Sequence, residues 1–406
     1  MNSYGLYLEN SRCHDQVSGE LSSGDVPEIV IATIQRRHTP IGPNTQIKHY
    51  ENFLAKTMVR SRVVTPFSGY RLIGCPVLAA RRALNLVDKP LGTWWFLRLR
   101  RHFLRLCLSR ALRPEQATVI YAKCLTSARA ALEARKSPKH KVVLAAHFNR
   151  SEAEEWCGLG YISEGDWVYR GICDLESRLL PQLDGLHFVS DFVRDHICGR
   201  HPELSRCRTI VLPNFVEDTG RAARQAPAGD LISIGSLEPR KNQVYLLRVL
   251  HEARRLGHSY SLALVGPGPD RRRLECLARD LGLADQVRFL GVQPDASRLL
   301  PRYRAYAHSA LMENCPFVLV EAAAAGLPVL ASPVGGIPEI LGDGEQGFYW
   351  PLDDPKQGAR ILIALLEDEA TYARLAEGAR RRFESRYTSD LVASRLTSFL
   401  LEIAAA

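Results

Sequence analysis

From Glu28 onward the chain alternates short apolar runs with amphipathic stretches. EIVIATIQ (28–35), SRVVTPF (61–67), ATVIYAKC (117–124), KVVLAAHF (141–148), GLHFVS (185–190) and RTIVLPNF (208–215) are short and rich in β-branched residues, which predicts buried strands. Helical spacing lies between them, starting near 44–57. The polar, Ala-, Gly- and Arg-rich stretch EDTGRAARQAPAGD (217–230) then predicts a linker. Beyond it the alternation restarts, with strands predicted at 231–235, 260–266, 286–291, 305–311, 328–332 and 347–350. Helical periods fall at 242–256, 270–282, 295–303 and 317–326.

Alternation of strand and helix makes a parallel sheet covered by helices. Two such halves on one linker predict an α/β protein of two Rossmann-like domains facing a central cleft. The first is expected over 28–216 and the second over 217–385, followed by a helix at 386–406 packing back toward the first. Residues 1–27 read as an arm without periodicity, and no tandem repeat or low-complexity tract is visible.

Composition narrows the class. The 406 residues are 46% hydrophobic and 24% charged, ordinary globular usage that excludes a disordered or fibrous chain. No run approaches the roughly 18 apolar residues of a membrane-spanning helix. The opening MNSYGLYLENSRCHDQ lacks the apolar core of a secretory signal. The expected location is cytoplasmic, with peripheral docking on the inner face of the cell membrane as an option. Ten cysteines stand singly, without C-x-x-C or zinc spacing, and read as reduced thiols.

A net charge of +9 invites an anionic partner, whether nucleotide, phospholipid or nucleic acid. Nucleic acid is not expected, because no helix-turn-helix, RRM, KH or zinc-finger pattern occurs and the arginines are mixed with acids. TWWFLRLRRHFLRLCLSRALR (93–113) places Phe96, Leu99, Phe103 and Leu106 at helical spacing, with Arg98, Arg101 and Arg105 on another face. It reads either as a basic amphipathic helix for an anionic membrane surface or as a helix packed on the sheet with its arginines in solvent.

The most informative segment is MENCPFVLVEAAAAGLPVLASPVGGIPE (312–339). Pro316 suits a helix start and Gly326 a helix end, so Glu313 precedes the helix and Glu321 lies about one turn inside it. Loop and helix rise together set the two carboxylates on the order of 10–15 Å apart. That span matches a nucleoside-diphosphate sugar: one acid for the sugar hydroxyls, the other for the ribose diol. The amides around Asn314, Cys315 and Phe317 would hold the phosphates at the helix N-terminus. Two incidental glutamates near a helix start are the plain alternative. LISIGSLEPRKNQ (231–243) adds a turn at Gly235 and the cations Arg240 and Lys241, which suit a diphosphate leaving group, although a solvated charge pair in a loop is on its own the commoner case. In LALVGPGPD (262–270), Arg271 follows where a third glycine would stand, so no dinucleotide fingerprint forms around Gly266.

Together, VGPGPDRRRLECLARDLGLADQVRFLGVQPD, ENCPFVLVEA, AAGLPVLAS, VGGIPE and the hinge LPNFVED resemble the nucleotide-binding half of a GT-B glycosyltransferase of the retaining family 4 (group 1) type. The likeness is close over 208–350 and limited to strand order over 28–200. It implies catalytic roles for Glu313 on the sugar, Lys241 on the diphosphate and His147 near sugar and acceptor. Glu321, Arg240, Gly235, Gly266, Asn314, Cys315 and Phe317 would bind the nucleotide sugar. The loop at Gly42 stands where the family has its Gly-rich turn. Many members carry Arg where this chain has Ser236, and Arg240 is the nearest substitute.

The implied reaction moves a hexose, with retention, from a nucleoside-diphosphate sugar to a hydroxyl of a glycan or lipid-linked acceptor, in bacterial surface polysaccharide synthesis. No cofactor is implied, and no metal, there being no Asp-x-Asp motif. The competing readings are a nucleotide-sugar epimerase of the same fold and a basic nucleic-acid- or membrane-binding protein without catalysis. A catalytically dead subunit is disfavoured by the intact acid pair.

Overall fold

The computed structural model describes residues 27–36, 42–68, 74–220 and 227–406. Twelve strands form two parallel sheets. The first contains β1 (Glu28–Ala32), β2 (Ser61–Val64), β3 (Thr118–Ala122), β4 (His140–Ala146), β5 (Gly185–Phe188) and β6 (Arg208–Val211), in the order β2-β1-β3-β4-β5-β6. The second contains β7 (Gly229–Ile234), β8 (Leu262–Val265), β9 (Val287–Gly291), β10 (Tyr303–Ala307), β11 (Val329–Ala331) and β12 (Gly347–Tyr349), in the order β12-β11-β10-β7-β8-β9. All named strand pairs are parallel. β1, β3 and β4 are apolar on both faces because helices cover both.

On one face of the first sheet Val30, Ile120, Val142 and Leu144 pack with Leu104, Leu108 and Leu125. On the other, Ile29, Ile31, Val119 and Val143 meet Tyr50 and Leu54 from helix Gly42–Lys56. The terminal helix Ser389–Ala405 completes that second face, although it follows the second domain in sequence. Its Leu396, Leu400 and Ile403 are buried there, and Tyr50 Oη lies 3.0 Å from Thr397 Oγ1. The two chain crossings between domains run side by side: Val216 N donates to Tyr387 O at 3.2 Å, and Ser389 N donates to Val216 O at 3.0 Å. Asp218 accepts Arg380 at 2.7 and 2.8 Å beside them.

Two local features depart from the sequence expectation. The helical period at 295–303 is a 3₁₀ segment, Ala296–Arg302, with Pro301 inside it. Proline cannot donate to the preceding turn and its ring crowds the carbonyl four residues back, which disfavours an α-helix there. Arg240 and Lys241 lie in a 3₁₀ turn, Pro239–Lys241, and Asn242 at φ 51° turns the chain into helix Gln243–Arg255. Helix Phe317–Ala324 ends at Gly326, where Gly326 N donates to Ala323 O and Leu327 N to Ala322 O, satisfying two terminal carbonyls.

Helix Lys89–Ala111 begins with Asp88 accepting from Leu91 N at 3.0 Å. It buries Phe96, Arg100, Leu104 and Leu108 in the first core, so much of its apolar side packs on protein. The Arg100 guanidinium caps the Ile34 carbonyl, and Arg101 pairs with Glu133 at 2.8 Å. Leu99, Phe103 and Leu106 are half-buried, Arg98 lies over the Trp94 ring, and Trp95 remains 38% exposed. Among the described residues no helix is long and apolar enough to cross a membrane.

Candidate active site

In the second sheet strand order reverses beside β7, whose neighbours are β8 and β10. Loops leaving the carboxyl ends of β7 and β10 diverge around a crevice at such a point, the usual ligand position in an open parallel sheet. Lys241 and Arg240 follow β7, and Glu313 follows β10. Hydrogen bonds tie the loops together: Leu311 N donates to Arg240 O at 2.9 Å, and Ser309 Oγ to Lys241 O at 2.8 Å. Gly336 N donates to Glu313 O at 3.0 Å, and at Gly335 (φ 57°) any Cβ would overlap that same carbonyl. This close backbone approach accounts for the Gly335-Gly336 pair.

Glu313 is buried, and its Oε1 is the focus of three cationic or proton-bearing groups. Lys241 Nζ donates directly to it, while Arg240 Nη1 and His308 Nε2 each stand 3.6 Å away. Burial alone would push this carboxyl up; Lys241, with Arg240 beside it, outweighs burial and holds it below the ordinary glutamate value. Arg240 is also tied to Met312 O at 3.2 Å and to Glu238 at 3.2 Å. Its guanidinium is stabilised against burial by Glu313, by Glu155 of the first domain and by Glu238.

Glu321 has the opposite surroundings. It is half-buried, no hydrogen bond or ion pair engages its carboxylate among the described residues, and burial pushes it up to about 7. Between the two acids the N–H groups of Asn314, Cys315, Phe317 and Val318 have no intramolecular acceptor among the described residues. Such a helix start attracts an anion. Gly235 lies under the Lys241 stem, where an added Cβ would be 3.7 Å from Cε. Gly266 sits against Gly235, with φ 136° and no space for a side chain.

The side chains of Asn314 and Cys315 turn to the first domain, which leaves at the helix start only their main-chain amides, the groups expected from the sequence. Asn314 Nδ2 donates to Phe148 O at 2.8 Å and its Oδ1 accepts from Ser190, both in the first domain. The Cys315 thiol, pushed up to about 12 by burial, accepts from Asn214 N at 3.3 Å, and Cys315 O accepts from Asn214 Nδ2 at 2.5 Å. Both residues therefore clasp the domains together. Phe317 is half-buried against the second core.

Across the cleft, His147 follows β4. Its Nε2 lies 2.6 Å from Lys123 Nζ and 2.9 Å from Gln46 Oε1, and Lys123 also donates to Gln46. Burial, then Lys123 and His187, lower His147 well below the usual histidine range, while burial lowers Lys123 well below the usual lysine range. Gln46 Nε2 reaches Asn214 Oδ1 at 3.4 Å, so a polar chain runs from His147 to the loop of Glu313. Gly42 opens helix Gly42–Lys56, and the turn at 37–41 lies outside the described residues.

The sequence reading missed Lys123, His308, Glu155 and Glu339. The first two carry a usable signal, a polar residue closing an apolar strand in ATVIYAKC and AYAHSAL. Glu339 does not, because its role depends on the other domain: it accepts from Asp191 N and Phe192 N, both at 2.8 Å, at the start of helix Asp191–Arg200. Among the described residues no group of three His, Cys, Asp or Glu side chains is gathered to hold a metal ion.

Two Rossmann-like domains with parallel sheets and a crevice at the switch point define the GT-B architecture. Anabaena Alr3699/HepE, solved in complex with UDP and glucose, shares this fold with a TM-score of 0.62 at 17% identity, over 92% of this chain and 99% of that one. Residues 218–382 match the family described as Glycosyl transferases group 1, so the second domain belongs to that family. Curated relatives include the D-inositol 3-phosphate glycosyltransferase of Streptomyces avermitilis, 35% identical over 211 residues, 46% of this chain and 45% of that protein. The amylovoran biosynthesis glycosyltransferase AmsK of Erwinia amylovora is 26% identical over 182 residues, 43% of this chain and 45% of that protein. The match thus spans about half the length of these relatives.

Proposed function

We propose that the protein is a retaining glycosyltransferase that moves a hexose from a nucleoside-diphosphate sugar to a hydroxyl of a glycan or lipid-linked acceptor. The observation that carries this reading is the pair of unlike acids flanking one helix start: Glu313 with its cations on one side, Glu321 without a partner on the other. The Glu321 carboxylate accepts the two ribose hydroxyls. The diphosphate rests on the amides from Asn314 to Val318, and Glu313 accepts hydroxyls of the hexose. As the bond from anomeric carbon to phosphate oxygen breaks, negative charge grows on the departing diphosphate. Lys241 and Arg240 stabilise it in a cleft that excludes water.

Lys241 must leave Glu313 to do this, so the sugar nucleotide opens the Lys241–Glu313 pair when it binds. The acceptor hydroxyl enters from the side of His147. Catalysis in this scheme uses no metal. The AmsK likeness supports a place in bacterial surface polysaccharide synthesis. Docking on an anionic lipid surface belongs to the same proposal, through residues 93–113 with Trp95 exposed and Arg98 and Arg105 as the charged contacts.

A panel of UDP- and GDP-sugars, with and without acceptor glycans, tests the reading. Wild type should release nucleoside diphosphate from one of them in an acceptor-dependent way, with Lys241→Ala and Glu313→Ala both falling at least about 100-fold, as for a lost transition-state contact. Interconversion of sugars without acceptor would make the protein an epimerase, and full turnover in both variants would move the site elsewhere. For the lipid surface, an Arg98→Glu/Arg105→Glu variant should lose sedimentation with phosphatidylglycerol vesicles; unchanged sedimentation would remove this helix as the contact.

A further inference from the structure

His308 closes β10 and is buried, with its ring stacked 6.0 Å from Tyr306 and its main chain fixed at both ends. His308 N donates to Leu330 O at 2.8 Å, and His308 O accepts from Trp350 Nε1 at 3.0 Å. The ring is therefore held in place, yet its Nε2 is a buried polar atom without a hydrogen-bond partner. Native proteins rarely leave such an atom unpaired. It points at Glu313 Oε1 from 3.6 Å, just beyond hydrogen-bond reach, while Lys241 Nζ occupies that oxygen. The charged groups that face the ring are Glu313, Lys241 and Arg240, and burial holds the imidazole neutral, down to about 4. Nε2 of this neutral ring is thus a polar atom with no hydrogen-bond partner among the described residues.

We infer that His308 is a positioning residue that takes over the Glu313 carboxylate when Lys241 moves to the diphosphate. This rests on the proposed roles of Lys241 and Glu313. Lys241 holds Glu313 in this structure, but the same ammonium is needed by the leaving group. Once it departs, a buried carboxylate would lose its direct donor at the moment it must be aligned on the sugar. A small closing movement brings Nε2–H of the neutral imidazole onto Oε1. Glu313 then keeps both its orientation and its ionised state, with Arg240 as the remaining nearby cation. The unpaired nitrogen is one half of this exchange. No bond to carbon changes and no proton is transferred; one hydrogen-bond donor replaces another.

The test compares His308→Phe, which keeps the ring and loses the donor, with His308→Gln, which restores a neutral N–H. Turnover is read with the UDP- or GDP-sugar that wild type uses, and nucleotide affinity with UDP and GDP alone. His308→Phe should lower kcat about 10- to 100-fold, the range for a hydrogen bond to a charged group, with UDP or GDP affinity within about threefold. His308→Gln should recover most of the loss. Wild-type kcat in His308→Phe, or a Gln variant no better than Phe, would overturn the inference while leaving Lys241 and Glu313 intact as the site. Should the Phe variant not fold, ¹⁵N-labelled histidine spectra of the full chain decide it. The His308 Nε2–H resonance should move to its hydrogen-bonded position on adding UDP or GDP, and rest there without nucleotide in Lys241→Ala. A resonance indifferent to both would also overturn the inference.

Discussion

Glu321→Gln separates the electrostatic part of this account from its geometry. The native carboxyl is pushed from 4.5 to about 7 by burial, with no cation to offset it. A raised acid pKa means that the folded state prefers the neutral form. Its contribution to stability is therefore intact below pH 4.5 and is lost progressively as pH rises to 7. Two and a half pKa units correspond to about 3 kcal/mol at 1.36 kcal/mol per unit. Because Glu321 is half-buried, about 1–3 kcal/mol is the expected relief on replacing it with a neutral amide. For a domain of this size that is about 2–10 °C in Tm. Thermal unfolding of wild type and Glu321→Gln from pH 4.5 to 8.5 should give curves that coincide at the acid end and diverge through pH 7, the variant being more stable. Sugar-nucleotide affinity should show the reverse cost. Wild type should bind more tightly as pH rises from 6 to 8, since the ribose diol needs an ionised acceptor. The variant should bind more weakly than wild type at pH 8 and lack the pH slope. A stability difference that is constant across this range, or equal affinities at pH 8, would refute the reasoning.

Glu339→Ala removes the carboxylate that caps helix Asp191–Arg200 from across the cleft. It should cost about 1–2 kcal/mol of interdomain stability and raise the radius of gyration in small-angle scattering, with the second-domain melt unchanged; an identical scattering profile would show that other contacts hold the domains. Gly266→Ala should destabilise the second domain by about 2–4 kcal/mol, because its Cβ meets the Gly235 carbonyl at a φ that L-residues avoid. A wild-type Tm in that variant would mean that the turn relaxes.

The central strand runs were legible because a doubly covered parallel sheet writes itself as short, mostly apolar segments. The acid pair was legible because Glu313 and Glu321 share one short loop-and-helix. What escaped lies across the cleft. The amides of Asn314 and Cys315 were named from local spacing, but nothing local shows that their side chains turn to Phe148, Ser190 and Asn214. A residue 101 to 166 positions away leaves no trace in local spacing. For 93–113 the periodicity left open both a membrane-facing helix and a helix packed on the sheet, and the structure places Phe96 and Leu104 in the first core. Arg100, which no local pattern singled out, is buried over Phe96 and Phe67. Pro301 was visible, and it marks where a helical period becomes a 3₁₀ turn.

The most direct test is a crystal structure with an intact UDP- or GDP-sugar, chosen by binding, in the cleft. The ribose hydroxyls should lie on Glu321 and the diphosphate against the amides of residues 314–318. Lys241 Nζ should have transferred from Glu313 to a phosphate oxygen. A ligand bound with Lys241 still on Glu313, or with its ribose away from Glu321, would contradict it.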